Sequence, residues 1–293
     1  MKRWQRMMAA LLAMAMVCGA LMVGASAAGT NSLPYEIKVN RKMNTVTVYT
    51  QDEAGNYTVP YKAMICSTGR LGHATPLGSY SVTSVKKEWC LMFDGTYGQY
   101  STQFFGNYLF HSICYTAPDP ATMLAQEYNM LGGVASLGCV RLQTADAKWI
   151  YDNCPVGTKV VSYNAKNPGP LGKPRAIKVK GTTGYDPTDI WSKHNPYNKK
   201  KPVIRGAKKK RIVYGDRVYK VMAGIHARNT TGYDATKRVR TVIDYRPNAS
   251  YVYEEVRRVN TKKPGDYRIT YKLTDEIGRK TSVRVIHKVL KKK

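Results

Sequence analysis

The chain has 293 residues, with 47 Lys/Arg against 19 Asp/Glu and a formal net charge of +28. Only one apolar run, near the N-terminus, approaches bilayer-spanning length; a polytopic membrane protein is excluded, and the rest is expected to be soluble and to form two modest domains. The charge is uneven: residues 29–163 carry 10 Lys/Arg against 9 Asp/Glu (+1), and residues 164–293 carry 34 against 10 (+24).

Lys2, Arg3 and Arg6 precede the apolar run Met7 to Val23, and Ala25-Ser26-Ala27 offers the small residues a signal peptidase requires. Residues 1–28 are therefore expected to be a signal peptide, with retention as a membrane anchor as the alternative, and the remainder to be exported. Export argues against nucleic acid as the partner of the basic half. It leaves anionic polymers or a membrane surface, with plain solubilisation by lysine as the alternative.

From Tyr35 to Phe110 the pattern predicts β structure. Thr45 to Thr50 alternates, Val59 to Cys66 reads as a more buried strand, and Tyr80 to Val85 follows the turn residues Pro76 and Gly78. Asp52 to Asn56 fits a hairpin loop. Beyond His111, Asp119 and Pro120 predict a helix start running through Met123, Leu124 and Tyr128 to Gly132-Gly133, and Thr144 caps a second helix through Ile150. Lys159 to Tyr163 closes the first domain as a strand. Residues 164–210, rich in Pro, Gly and Lys, read as a linker. Strands over Ile212 to Tyr214, Val239 to Ile243, Tyr267 to Leu273 and Val283 to Val289 predict a β-sandwich over 211–290, with Tyr267, Ile269, Tyr271 and Leu273 facing its core. The fold class is mainly β with short helices.

The residues that carry chemistry are His111, in Leu109-Phe110-His111-Ser112, and Cys139, in Ser136-Leu137-Gly138-Cys139-Val140-Arg141-Leu142. A thiol is a strong nucleophile as thiolate, so a catalytic cysteine needs a base or a positive setting, and a histidine supplies the base. Cys18 leaves with the signal. Cys66, Cys90, Cys114 and Cys154 read as small buried hydrophobes, with two disulfides as the alternative. His73 reads as a solvated loop residue. His194, His226 and His287 are scattered and lack metal-ligand spacing, so none is assigned to a site. Trp89, Tyr97 and Tyr100 read as strand packing rather than as a cleft lining.

Gly69, Thr75-Pro76-Leu77-Gly78-Ser79-Tyr80, Leu109-Phe110-His111-Ser112 and Ala135 to Leu142, in this order, resemble the L,D-transpeptidase (YkuD) catalytic domain over residues 34–163. The resemblance implies a β-rich fold that exchanges acyl groups on peptidoglycan tetrapeptide stems at the cell wall, without metal or cofactor. It implies Cys139 as nucleophile, His111 as base, and the Ser112 carbonyl as the group that orients the imidazole. Ser136, Gly138 and Arg141 match its substrate-side positions, and backbone amides at Gly138 and Cys139 are the natural oxyanion donors. Arg141 is expected either to grip a substrate carboxylate or to form a structural ion pair, for example with Asp146. One position departs: the family commonly has His where this chain has Leu137. The interval Ile113 to Val134 is longer than in compact members and is expected to form a helical lid or substrate wall. If the resemblance holds, carbapenems should acylate Cys139.

Lys263 to Tyr271 followed by Asp275-Glu276-Ile277-Gly278 resembles, more weakly, the late strands of bacterial surface immunoglobulin-like domains. The reading that results is an exported L,D-transpeptidase that crosslinks stems through a Cys139 thioester with loss of D-Ala. Its alternatives are an L,D-carboxypeptidase using the same acyl-enzyme, a noncatalytic wall-binding protein, and a thiol peptidase in which Asp119 or Glu127 completes a triad.

Overall fold

A computed structural model of the chain describes residues 33–215 and 219–291; the signal segment expected over residues 1–28 lies outside them. Among the described residues no helix is long and apolar enough to cross a membrane.

The first strands are β1 (Glu36–Asn40), β2 (Thr45–Thr50), β3 (Val59–Gly69), β4 (Gly78–Ser81), β5 (Lys86–Leu91), β6 (Tyr97–Phe105) and β7 (Tyr108–Ser112). β1, β2 and β3 form an antiparallel meander with Val39 opposite Val46 and Val46 opposite Met64. Its connections follow turn chemistry: the Asp52 carboxylate accepts from the backbone N–H groups of Ala54 and Asn56, which closes the predicted hairpin loop. Ile37, Val39, Val46, Val48 and Met64 are fully buried, and with Phe110, Val140 and Leu142 they make one hydrophobic core.

Next come β8 (Cys114–Tyr115), β9 (Met123–Leu124), α1 (Ala125–Asn129), β10 (Val134–Ser136), β11 (Val140–Leu142), α2 (Thr144–Asn153) and β12 (Lys159–Tyr163). β11 lies between β7, parallel to it, and β3, antiparallel to it. α2 buries Ala147 and Ile150 in the core. The domain is thus mainly β, as the sequence predicts, with the short helices following His111.

Two local expectations change. Asp119 does cap a turn, accepting from the N–H of Ala121 with Pro120 in first position, but the turn is a 3-10 helix of three residues and gives way to β9. The segment Ile113 to Val134, expected as a helical lid or substrate wall, is a packed layer with one short helix, α1, and not a lid. Ile113, Tyr115, Met123, Ala125, Tyr128 and Leu131 are buried against Ile177 and Val179. Enough apolar side chains alternate there to form a small core of their own, so the segment folds onto the domain.

Residues 164–202 contain little regular structure beyond β13 (Thr183–Gly184), yet specific polar contacts hold them against the catalytic domain. The Asn40 side-chain amide donates to the carbonyls of Ala165 and Asn167, and β13 pairs with β9. At the start of α2 the Asp186 carboxylate accepts from the N–H of Thr144 at 2.6 Å, and the Thr188 hydroxyl accepts from that of Ala145 at 3.1 Å. The cap of α2 therefore arrives from some forty residues downstream, and Thr144 is the first helical residue.

The C-terminal strands are β14 (Val203–Arg205), β15 (Lys210–Ile212), β16 (His226–Arg228), β17 (Arg240–Arg246), β18 (Glu254–Val256), β19 (Gly265–Thr274) and β20 (Lys280–Val289). A five-stranded sheet in the order β15-β20-β19-β17-β18 is faced by the ribbon of β14 and β16, giving a sandwich-like packing. Tyr267, Ile269, Tyr271 and Leu273 are buried between them with Ile204 and Ile225, the face that period-two alternation predicts.

Candidate active site

The parallel register of β7 and β11 sets His111 opposite Arg141. Residues two apart on a strand share a face, so Cys139, just ahead of β11, falls on the face that carries Arg141 and His111. All three line one cavity of about 490 Å³, together with Ser136, Leu137 and Asp94.

The loop bearing Cys139 is held by its own side chains. Ser136 Oγ accepts from the N–H of Gly138 at 3.1 Å and donates to the carbonyl of Cys139 at 2.6 Å. Thr75 Oγ1 donates to the carbonyl of Gly138 at 2.6 Å and accepts from the N–H of Gly69 at 3.0 Å. Gly138 has φ +119°, and a Cβ there would come within 2.6 Å of the Tyr108 ring. Both facts demand glycine. At Gly69 a Cβ would overlap the carbonyl oxygen of His73 at 1.9 Å, so close backbone approach fixes that residue too.

This clamp revises the oxyanion expectation. The Gly138 N–H is engaged by Ser136, and of the two amides considered only that of Cys139 is left to face a developing negative charge. Ser136 is accordingly a loop-positioning residue.

His111 is 2% exposed, and its Nδ1 is buried without a hydrogen-bond partner. Burial, assisted by the positive charge of Arg141, pushes the imidazole down from its ordinary 6.5 to about 3; the Ser112 carbonyl and Asp94 act the other way. The sequence argument takes an imidazole titrating near working pH, whereas the enclosed site keeps this one neutral there. The Cys139 thiol is raised, again by burial first, with the Leu109 amide and Arg141 opposing. Its Sγ donates to the carbonyl of Asn107 at 3.7 Å. The resting site thus holds a neutral thiol and a neutral imidazole. Ser112 also anchors its strand through its hydroxyl, which accepts from the N–H of Gln99 and donates to the carbonyl of Ile113, both at 2.8 Å.

Arg141 is buried and ion-paired with Glu127 and, at 3.8 Å, with Asp94. Asp146, suggested as its partner, pairs instead with Lys62 at 2.9 Å. The guanidinium is therefore already engaged by carboxylates; its field acts on the site by favouring neutral His111 and ionised Cys139.

Asp94 and Gly98 were not singled out by sequence reasoning, and Glu127, weighed there only as a triad acid, is instead the ion-pair partner of Arg141. Gly98 lies in β6 beside the imidazole, and an isolated glycine inside a strand pattern is the signal that could have found it. Asp94 and Glu127 act across the fold and leave no local pattern. His73 is exposed in its loop, His287 is buried and bonded to Tyr219 at 2.7 Å, and Trp89 packs edge-on against Tyr115. Cys66, Cys114 and Cys154 are buried thiols.

A cysteine and a histidine sharing one cleft on adjacent parallel strands of a β-rich domain define a class of thiol-bearing site suited to acyl transfer. Residues 34–161 match the family described as the L,D-transpeptidase catalytic domain, YkuD. It is similar to the Bacillus subtilis (strain 168) protein named as an L,D-transpeptidase, YciB, at 38% identity over 91 residues, which is 30% of this chain and 46% of that one. The chain thus spans less than half the length of this relative. Among solved structures, a fused Zn-dependent amidase/peptidase/peptidoglycan-binding domain-containing protein from Clostridium acetobutylicum ATCC 824 matches at 31% identity, over 44% of this chain and 52% of that one, with a TM-score of 0.34. An L,D-transpeptidase from Mycobacterium tuberculosis H37Rv matches at 25% identity, over 45% and 58%, with a TM-score of 0.36.

Proposed function

We propose that the protein is an exported cysteine L,D-transpeptidase that joins peptidoglycan tetrapeptide stems outside the cytoplasm. The observation that carries this reading is the placement of Cys139 and His111 in one cleft of an L,D-transpeptidase-type domain. The Cys139 sulfur attacks the carbonyl at the L-centre of the donor diamino acid as its proton passes to His111. The C–N bond to the terminal D-Ala then breaks, and His111 returns the proton to the departing amine, leaving a thioester. An amine of a second stem attacks that thioester, the C–S bond breaks, and the proton lost by the amine returns through His111 to the thiolate. An imidazole with a lowered pKa is a weak base but, once protonated, a strong acid, which favours the leaving-group step. The raised thiol pKa places the barrier in the first transfer, where substrate binding must align the two groups.

Water in place of the second amine would make the enzyme an L,D-carboxypeptidase. The rim favours transfer: Leu91, Phe93 and Leu137 all line the cleft and are exposed, Phe93 by 90%. Apolar walls of this kind exclude water from a thioester once a second stem covers them. Leu137 extends this surface where the family commonly carries histidine.

The test is incubation of residues 28–293 with a disaccharide-tetrapeptide, following products and intact protein by mass spectrometry, with Cys139→Ala alongside. The expected result is crosslinked dimer with loss of D-Ala, abolished by the substitution. Tripeptide monomer alone would establish the carboxypeptidase. Stem binding without product or thioester would establish the noncatalytic binding protein.

A further inference from the structure

Six cationic side chains of the C-terminal half line two neighbouring grooves. The first, about 290 Å³, lies at the ribbon of β14 and β16 and is lined by Lys200, Lys201, Arg205 and Arg228. The second, about 590 Å³, lies at the turn end of the hairpin of β19 and β20 and is lined by Lys201, Lys272 and Lys280. Lys201 lines both, so the grooves form one track. His226 also lines the first groove.

Among the described residues no carboxylate lines either groove. Asp234, bridged to Arg228 through the backbone and close enough to His226 for their charges to interact, spends its carboxylate on the N–H and hydroxyl of Thr236. Glu276 accepts from the Asn229 side chain at 3.2 Å and pairs with Arg238 at 3.2 Å. Asp275 is buried, accepting from the Thr230 hydroxyl and from the hairpin's own N–H groups. Six cations therefore stand along a concave path that no described carboxylate lines, in a chain whose opposite half is close to neutral. Like charges held together in this way are mutually repulsive, and an incoming polyanion relieves the repulsion.

We propose that this track binds a linear phosphodiester polymer without flat bases, of the polyol-phosphate type. Two features select that ligand. Proteins that hold single-stranded nucleic acid combine a basic groove with aromatic platforms for the bases, and neither groove is lined by a Phe, Tyr or Trp. The path is also concave, which suits a strand better than the plane of a bilayer. Binding is driven by the release of counterions as phosphates replace them along the track. Such a site would hold the catalytic domain beside an anionic polymer, and it does not depend on the acyl-transfer reading.

The test is fluorescence anisotropy of end-labelled poly(glycerol phosphate) titrated with the full chain over a series of salt concentrations. The variant carries Lys201→Ser, Arg205→Ser, Lys272→Ser and Lys280→Ser, all at exposed positions. A charge-matched control carries Lys42→Ser, Lys166→Ser, Lys220→Ser and Lys262→Ser, exposed positions outside both grooves. Thermal melts establish that each is folded. The track variant is expected to lose about tenfold or more in affinity, and its slope of log K against log salt to fall by about 3, while the control changes by less than about twofold. Equal losses in the two variants would overturn the proposal in favour of diffuse charge. Binding as tight to oligothymidylate of matched phosphate number, or to vesicles rich in phosphatidylglycerol, would overturn it in favour of nucleic acid or membrane.

Discussion

Gly98 lies against the His111 imidazole: a Cβ built on it would stand 2.6 Å from Nδ1 and 2.4 Å from the terminal methyl of Met92. Met92 can swing aside, but the ring is enclosed and cannot. Gly98→Ala is expected to push His111 off line with Cys139. The rate of acylation by a carbapenem, read by intact mass, should fall about a hundredfold. Overpacking should lower stability by about 1–3 kcal/mol, measured by denaturant unfolding. An unchanged acylation rate would mean that the imidazole is not confined as described.

Thr75 makes the corresponding prediction on the nucleophile side. Its hydroxyl links the Gly69 N–H to the Gly138 carbonyl inside the fold, so Thr75→Val leaves both groups without partners. The expected cost is about 1–3 kcal/mol in unfolding free energy. Acylation should slow as well, because Gly138 precedes the nucleophile. Thr75→Ser retains the hydroxyl and should keep most of both; losses in Thr75→Ser as large as those in Thr75→Val would mean that the hydroxyl is not what holds the turn.

These two relationships mark where the sequence is legible and where it stops being so. β2 and β12 have the bounds that alternation predicts, and the inward face of β19 follows from period two, because both signals are local. The motif residues Gly69 and Thr75 can be recognised by resemblance, yet their work depends on a strand end, a loop and the Cys139 turn meeting in space. The cap of α2 shows the same limit. Thr144 is a competent local cap, and Asp186 takes that role only because a segment without periodicity is tied down by Asn40 and β9. The partner of Arg141 was misassigned for the same reason: Glu127 reaches it because the Ile113 to Val134 layer packs rather than forming a lid.

The His111 shift has a definite sign. Its folded pKa of about 3 lies below the ordinary 6.5, so between these values the unfolded chain binds a proton that the folded one refuses. The stability contributed by neutral His111 is complete above 6.5 and is lost as pH falls towards 3, by about 1.4 kcal/mol per unit. Denaturant unfolding at pH 7.5 and pH 5 should therefore differ by about 2 kcal/mol more for the native sequence than for His111→Gln. Activity should follow the same residue: the rate of acylation is expected to stay level down to about pH 5, with no acid limb near 6.5. A limb at the ordinary imidazole value would place His111 in solvent.

Thiol accessibility tests the cleft as a whole. Cys90 and Cys139 are partly exposed and line it, whereas Cys66, Cys114 and Cys154 are buried. Burial shuts reagents out of the three enclosed thiols and raises them, Cys154 to about 12, whereas Cys139, also raised by burial, keeps its sulfur on the cleft. In a protein of residues 28–293, which leaves out Cys18, Ellman's reagent should therefore titrate two thiols rapidly in the native state and the remaining three only on unfolding. Cys139→Ala and Cys90→Ala should each remove one fast equivalent, and prior acylation by a carbapenem should protect Cys139 alone. A fast phase that survives Cys139→Ala undiminished would mean that Cys139 is closed to substrate as well as to reagent, and the acyl-transfer reading would fail with it.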